Sequence, residues 1–181
     1  MKNYTELRLS GSGGQGLILA GIILAEAAIL DGKNAVQSQS YGPEARGGAS
    51  RAEVIVSDED IDYPKVTNPD VLLALTEEAL KKYMVNLAKE SLIIIDSSID
   101  KPHTTAKVLK VPILDTAQNV VGKIIVANIV ALGVVTAVTG VVSKESIEKA
   151  VMEKVPKGTE ELNKKALFEG FKLGENYSLY L

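Results

Sequence analysis

The run Gly11-Ser-Gly-Gly-Gln-Gly16 restricts this chain more than any other part of it. Thr5 to Ser10, just before it, alternates weakly in the manner of a strand. Leu17 to Leu30, just after it, is apolar on every side apart from Glu26, and Gly32 follows as a stop. Glycines let a backbone reverse within a few residues and approach another group closely, so the order reads strand, tight turn, buried helix, turn. Asn34 to Ser38 supplies a second strand, which makes the opening a βαβ unit. Gln39 to Arg51 is rich in Gly and Ser and holds two arginines; it reads as a long loop, a kind of segment that is often functional inside a compact domain.

Strand and helix signals go on alternating. Ala52 to Ser57 has β-branched residues, Asp58 to Asp62 is an acidic solvated turn, and Val71 to Leu75 and Leu92 to Asp96 are short apolar runs of the buried parallel type. Thr76 caps a helix whose apolar face is Ala79, Leu80, Tyr83, Met84 and Leu87. Lys107 to Leu114 makes a further strand, which Pro112 places at an edge or near its end. Ser143 starts an amphipathic helix with Ile147, Ala150, Val151 and Val155 inward, Pro156-Lys-Gly158 breaks it, and Thr159 to Phe171 is the last helix, with Gly174 after its end. The pattern predicts an α/β fold: residues 1–181 as a single domain with a Rossmann-like, mostly parallel sheet and helices on both faces. With 181 residues, 46% of them hydrophobic, the chain can bury a full core.

Val120 to Val142 is almost wholly apolar and approaches the length of a membrane span. It also contains Lys123, Asn128, Thr136, Thr139 and glycines 122, 133 and 140, and no matching pattern of flanking charge accompanies it. The reading is a buried sheet-covering or interface helix over Ile124 to Val142. Asn128 within it must find a hydrogen bond, so it fixes packing or an interface.

Composition excludes several chemistries. A formal charge of −3 gives no electrostatic footprint for nucleic acid. With no cysteine and one histidine, the chain itself offers no thiolate cluster site, no cysteine nucleophile and no histidine pair for a metal. The N-terminus lacks the apolar stretch of a signal peptide, which points to the cytoplasm. Any redox electrons would travel through another chain or a bound organic cofactor.

Two segments carry chemistry. Gly11-x-Gly13-x-x-Gly16 has the spacing of a dinucleotide fingerprint between a strand and a helix, where helix N–H groups can receive an anion. The acid that fingerprint calls for about 20 residues on is missing, since the second strand ends Gln37-Ser38-Gln39-Ser40. Tight helix-on-strand packing is the other use of such a turn. In Tyr41-Gly-Pro-Glu-Ala-Arg46-Gly-Gly-Ala-Ser50-Arg51, arginine beside glycines suits phosphate or carboxylate, whereas a solvated turn with Glu44 paired to Arg46 uses the same residues. His103 reads as a surface residue, and Asp96 as a cap for the next turn rather than a ligand-facing group.

Together, Gly11-Ser-Gly-Gly-Gln-Gly16, Ser38-Gln-Ser-Tyr-Gly-Pro-Glu-Ala-Arg-Gly-Gly48, Asp62-Tyr-Pro64, Pro69-Asp70 and Asn128-Ile-Val-Ala-Leu-Gly133 resemble the gamma subunit of 2-oxoacid:ferredoxin oxidoreductases, over nearly the whole chain. The uninterrupted Tyr-Gly-Pro-Glu-Ala-Arg-Gly-Gly-Ala-Ser-Arg with the following Asp-Tyr-Pro most resembles the 2-oxoglutarate branch. The resemblance implies a heteromultimeric enzyme that converts a 2-oxoacid, coenzyme A and oxidised ferredoxin to acyl-CoA, CO2 and reduced ferredoxin. Partner subunits would carry thiamine diphosphate, Mg and the Fe–S clusters. This chain would help form the coenzyme A site and the assembly, with no catalytic residue or metal ligand of its own. Its implied cofactor-lining residues are Gly11, Gly13, Gly14, Gln15, Gly16, Tyr41, Glu44, Arg46 and Gly47, with Arg46 in an electrostatic role. Pyruvate-, branched-chain- and indolepyruvate-specific relatives share much of this pattern. A self-sufficient Rossmann-type NAD(P)- or FAD-binding oxidoreductase and a purely structural scaffold are the alternatives of other classes.

Overall fold

The computed structural model describes residues 3–39 and 48–178. Tyr41, Glu44, Arg46 and Gly47 of the second glycine segment therefore lie outside the described residues. Elements follow in the order β1 (Tyr4–Ser12), α1 (Leu17–Leu30), β2 (Asn34–Gln39), β3 (Ala49–Ser57), β4 (Val71–Ala74), α2 (Glu77–Tyr83), β5 (Leu92–Asp96) and β6 (Lys107–Val111). A short helical turn α3 (Ile113–Asp115) runs on through a π turn (Thr116–Val121) and a 3-10 turn (Ile124–Val126) into α4 (Ala127–Thr139), α5 (Lys144–Lys154) and α6 (Glu160–Ser178).

Six strands form one sheet in the order β2-β3-β1-β4-β5-β6, and only β3 runs against the rest. The opening is thus not a simple βαβ unit. Strands β1 and β2 are parallel, but β3 returns from β2 as an antiparallel partner and inserts between them, with Ser12 opposite Ala49 and Tyr4 opposite Ser57. The loop after β2 is shorter than the sequence suggests, because Ala49, Ser50 and Arg51 already pair with β1.

Strand β4 (Val-Leu-Leu-Ala) is buried throughout and β5 (Leu-Ile-Ile-Ile-Asp) nearly so, because helices cover both faces. In β1, alternation sends Leu7 and Leu9 into the larger core beneath α1, α4, α5 and α6, while Glu6, Arg8 and Ser10 turn to the face covered by α2. That second face has a smaller core of Leu72, Ala74, Ala79, Leu80, Tyr83, Ile93, Ile95 and Ile99. Its buried polar groups are satisfied locally: Ser10 Oγ donates to Leu73 O at 2.7 Å, and Glu6 Oε2 accepts from the N–H groups of Thr67 and Asn68 at 2.8 and 2.7 Å. Strand β6 ends at Val111, directly before Pro112, and lies at the sheet edge.

The long apolar segment is where local pattern misleads most. Its helix starts at Ala127 rather than Ile124, since Ile124 and Ile125 are 50% and 65% exposed on the preceding turn. Among the described residues no helix is long and apolar enough to cross a membrane. The hydrophobicity of α4 comes from being enclosed by the sheet on one side and α6 on the other. The two helices cross so closely that a Cβ added at Gly133 would stand 2.4 Å from Leu167 O, and one at Gly170 2.2 Å from Val130 O. Gly133 of α4 thus serves an internal crossing with α6. Gly174 lies inside α6 instead of ending it, because it too faces α4, 2.9 Å from Val134 O by the same measure.

At the far end of α1, Asp31 accepts from Ser143 N, Ser143 Oγ and Ser146 Oγ, each at 2.6 Å. This ties the C-terminus of α1 to the start of α5, where Ser143 itself caps the helix by accepting from Ser146 N at 3.1 Å.

Candidate functional site

From β1 the chain passes by α1 to one side of the sheet and later resumes at β4 on the other side, so the strand order reverses between β1 and β4. At such a reversal the carboxyl ends of neighbouring strands part and leave a crevice. The glycine turn stands there. Gly11 is still within β1, opposite Ser50, and Gly16 is the residue before the first turn of α1, with a left-handed φ of 72°.

Gly11, Gly14 and Gly16 each have a different reason to be glycine. A Cβ at Gly11 would stand 2.3 Å from Gln15 Oε1, because the Gln15 side chain folds back over it and accepts from Ser12 N–H at 2.7 Å. At Gly16 a Cβ would stand 2.5 Å from Asn128 Nδ2, which donates to Gly16 O at 3.0 Å. Gly14 has a φ of 91° and open space where a side chain would be, so this corner of the turn is bare backbone. Gly13 N–H donates to Gly48 O at 3.0 Å, which fastens Gly48 to the glycine turn. Gly11, Gly13, Gly14, Gln15 and Gly16 are therefore together at one edge. The two described ends of the second glycine segment, Gln39 and Gly48, flank the same edge.

The edge combines bare backbone with unsatisfied helix N–H groups. Helix α1 has no side-chain cap at Gly16 among the described residues, so its first N–H groups face the turn. Beside the turn runs a mostly apolar groove of about 210 Å³ lined by Gly16, Leu19, Ile125, Asn128, Pro156 and Thr159 among others. Sequence reading found the turn but not this groove, because its walls come from segments more than a hundred residues apart. Asn128 was the one available signal: it is 5% exposed and its bond to Gly16 O joins α4 to the turn.

Two further candidates take the roles the sequence favoured. Asp96, 1% exposed, accepts from Ser98 N, Ser98 Oγ and Leu114 N at 2.9, 2.6 and 2.8 Å, so it caps the turns after β5 and β6. His103 is exposed in a loop. Among the described residues, no group of three or more His, Asp or Glu could hold a metal ion.

A doubly wound sheet with a glycine turn at its reversal point defines a Rossmann-like domain, here without the acid at the end of β2 that a ribose would need. The sequence places it further: residues 6–173 match the model for pyruvate ferredoxin/flavodoxin oxidoreductases, and the chain belongs to that family. It is 49% identical to the 2-oxoglutarate synthase subunit KorC of Methanocaldococcus jannaschii, over 97% of this chain and 96% of that one. It is 52% identical, with a TM-score of 0.87, to the solved gamma subunit of a keto/oxoacid ferredoxin oxidoreductase from Geobacter sulfurreducens, covering 96% and 97% of the two chains. A third similarity is one of fold. The 2-oxoglutarate:ferredoxin oxidoreductase of Magnetococcus marinus, solved with 2-oxoglutarate, coenzyme A and succinyl-CoA bound, superposes with a TM-score of 0.85 at 20% identity, over 97% of this chain and 32% of that one.

Proposed function

We propose that this chain is the gamma subunit of a 2-oxoglutarate:ferredoxin oxidoreductase and that its carboxyl edge forms part of the coenzyme A site. The observation that carries the first half is the end-to-end match, at 49% identity, with a 2-oxoglutarate synthase subunit of nearly the same extent. The second half is supported by the edge itself. Bare backbone at Gly14, the N–H groups at the head of α1 and an adjoining apolar groove fit a ligand that joins phosphates to a flexible amide-and-methylene arm. Gly13, Gly14 and Gly16 would hold the phosphate portion, and Tyr41, Glu44, Arg46 and Gly47 are the further residues proposed for the site. Coenzyme A supplies the thiol that receives the acyl group. The residues of this chain bind it, orient it and keep water from it.

On this reading thiamine diphosphate, Mg and the Fe–S clusters reside on partner subunits, ferredoxin receives the electrons, and the complex works in the cytoplasm. A chain without cysteine suits that division of labour. A self-sufficient NAD(P) enzyme is disfavoured by Ser38 and Gln39 where a ribose-binding acid would stand.

The test is anaerobic purification of the chain with whatever associates with it, followed by dye reduction with 2-oxoglutarate, pyruvate or branched-chain 2-oxoacids, each with and without coenzyme A. Coenzyme A-dependent reduction that is fastest with 2-oxoglutarate is the expected result. Within the same complex, Arg46→Ala raises the KM for coenzyme A or lowers turnover without loss of assembly; unaltered kinetics would remove Arg46 from the site. Tight binding of NAD(P) or FAD by the lone chain would overturn the whole reading.

A further inference from the structure

On the turns that lead into α4, three large apolar side chains stand in solvent. Val120, Ile124 and Ile125 are 48%, 50% and 65% exposed, and Ile125 is the most exposed large apolar residue among the described ones. The backbone that carries them is fixed from behind. Gly122 and Lys123 N–H both donate to Ala117 O, at 3.0 and 2.9 Å, and Lys165 Nζ donates to Val120 O at 2.7 Å. Val121 and Val126, their neighbours in the chain, are buried in the core. A β-branched side chain on a fixed turn has few rotamers to lose on contact.

The patch continues into the groove beside the glycine turn. Ile125 lines that groove together with Gly16, Leu19, Pro156 and Leu162, and none of the described residues that line it is charged. Its polar side chains are spent internally. Asn128 Nδ2 donates to Gly16 O, Asn163 Nδ2 donates to Thr159 O and Thr159 Oγ1, both at 2.9 Å, and Thr159 Oγ1 donates to Pro156 O at 2.6 Å. A surface of this composition loses little when water leaves it, because few polar groups are stripped of partners.

The occupant follows from the reaction read for this edge. Coenzyme A accepts the acyl group left when the oxoacid loses CO2, and in the proposed complex the oxoacid is bound on another subunit. The thiol meets that group only where the two subunits abut, since reacting atoms must come within about 3–3.5 Å. A second copy centred on the same patch would instead bring one exposed Lys123 toward the other, and like charges across an interface oppose association. We propose that Val120, Ile124 and Ile125 form the docking surface for the subunit that binds the oxoacid, whose seating closes the groove at the head of α1. The proposal rests on the functional reading above and deepens it by naming the surface through which that partner attaches.

Because the chain has no cysteine, Ile125→Cys gives a single attachment point. The variant is labelled with a benzophenone maleimide, reassembled with the other subunits and irradiated, and the crosslinked peptide is identified by mass spectrometry. The oxoacid-binding subunit is recognised independently by its thiamine diphosphate content, and we expect the crosslink to fall on it. In parallel, Ile125→Glu should weaken binding of the chain to the remaining subunits about thirtyfold or more, the scale of a central interface residue. The thermal midpoint of the lone variant should stay that of wild type, and Ile125→Leu should bind as wild type does. A crosslink to a second copy or to a different subunit would overturn the proposal, as would no crosslink in the assembled complex or wild-type binding by Ile125→Glu. Should the label keep the chain out of the complex, it is moved to Val120→Cys and read in the same way; should Ile125→Glu lower the midpoint, Ile124→Glu takes its place. An assembled complex inactive toward every 2-oxoacid would sink the functional reading, whereas the crosslink and the binding measurement still decide what the turn contacts.

Discussion

Gly16 shows how one position can be committed twice over. Its left-handed φ of 72° suits glycine, and the space beside it is filled by the Asn128 amide. Gly16→Ala is expected to cost about 1–2 kcal/mol from backbone conformation alone, with more from displacement of Asn128. Urea denaturation of wild type and variant would measure it, and equal midpoints would show that the turn relaxes freely. The sequence announced this turn because glycine spacing between a strand and a helix is a local signal. It announced Asn128 only as a polar residue in need of a partner; that the partner is Gly16 O, 112 positions away, is a fact of tertiary packing. Arg51 was visible as one of two arginines in a glycine-rich stretch. That it joins Arg8 at Glu53 depends on cross-strand contacts that no local pattern encodes.

Among the elements, α1 was legible to the residue, since the glycine turn and Gly32 bound it on both sides. Helix α4 was not, because a segment that is apolar all round has no phase to mark where it starts. The place of β3 was also hidden: its residues say strand, but nothing in them names β1 as a neighbour. Two predictions belong at this scale. Gly170→Ala drives a methyl group into Val130 O at the α4–α6 crossing and should lower stability by about 1–3 kcal/mol; a thermal midpoint equal to wild type would mean the helices part without cost. The second concerns the Asp31 clip. Burial pushes the Asp31 carboxyl upward, but hydrogen bonds from Ser143 and Ser146 and the nearby Lys33 outweigh it, so its pKa lies below the ordinary carboxylate value. A lowered folded-state pKa gives stability that is full above the ordinary carboxylate range and is lost as pH falls through the lowered value. Asp31→Asn should therefore destabilise by about 1 kcal/mol near neutral pH, and the gap from wild type should close in acid. A gap that stays constant from neutral pH down through the carboxylate range would assign the effect to something other than ionisation.

At the scale of the whole molecule, absence of cysteine has a direct consequence. The chain purified alone should carry no Fe–S absorption and reduce no dye with any 2-oxoacid, and both should be present when it is recovered within its complex. Iron bound stoichiometrically to the lone chain would contradict the division of labour proposed above. The broad architecture was legible at this scale, since alternating strand and helix signals impose a parallel sheet between helix layers. The asymmetry of those layers, with α1, α4, α5 and α6 on one face and α2 on the other, was not.

The inserted strand β3 bears on how such a protein can diversify. Along its length β3 is locked by nine residue pairs to β1, an interior strand of the sheet. The chain leaves β2 at Gln39 and is described again from Gly48, both at the edge that carries the glycine turn. The length and composition of the stretch between them can therefore change from one descendant to another while the pairing behind it, and with it the core, stays in register. An arrangement of this kind lets selection rewrite one short stretch without renegotiating the fold behind it.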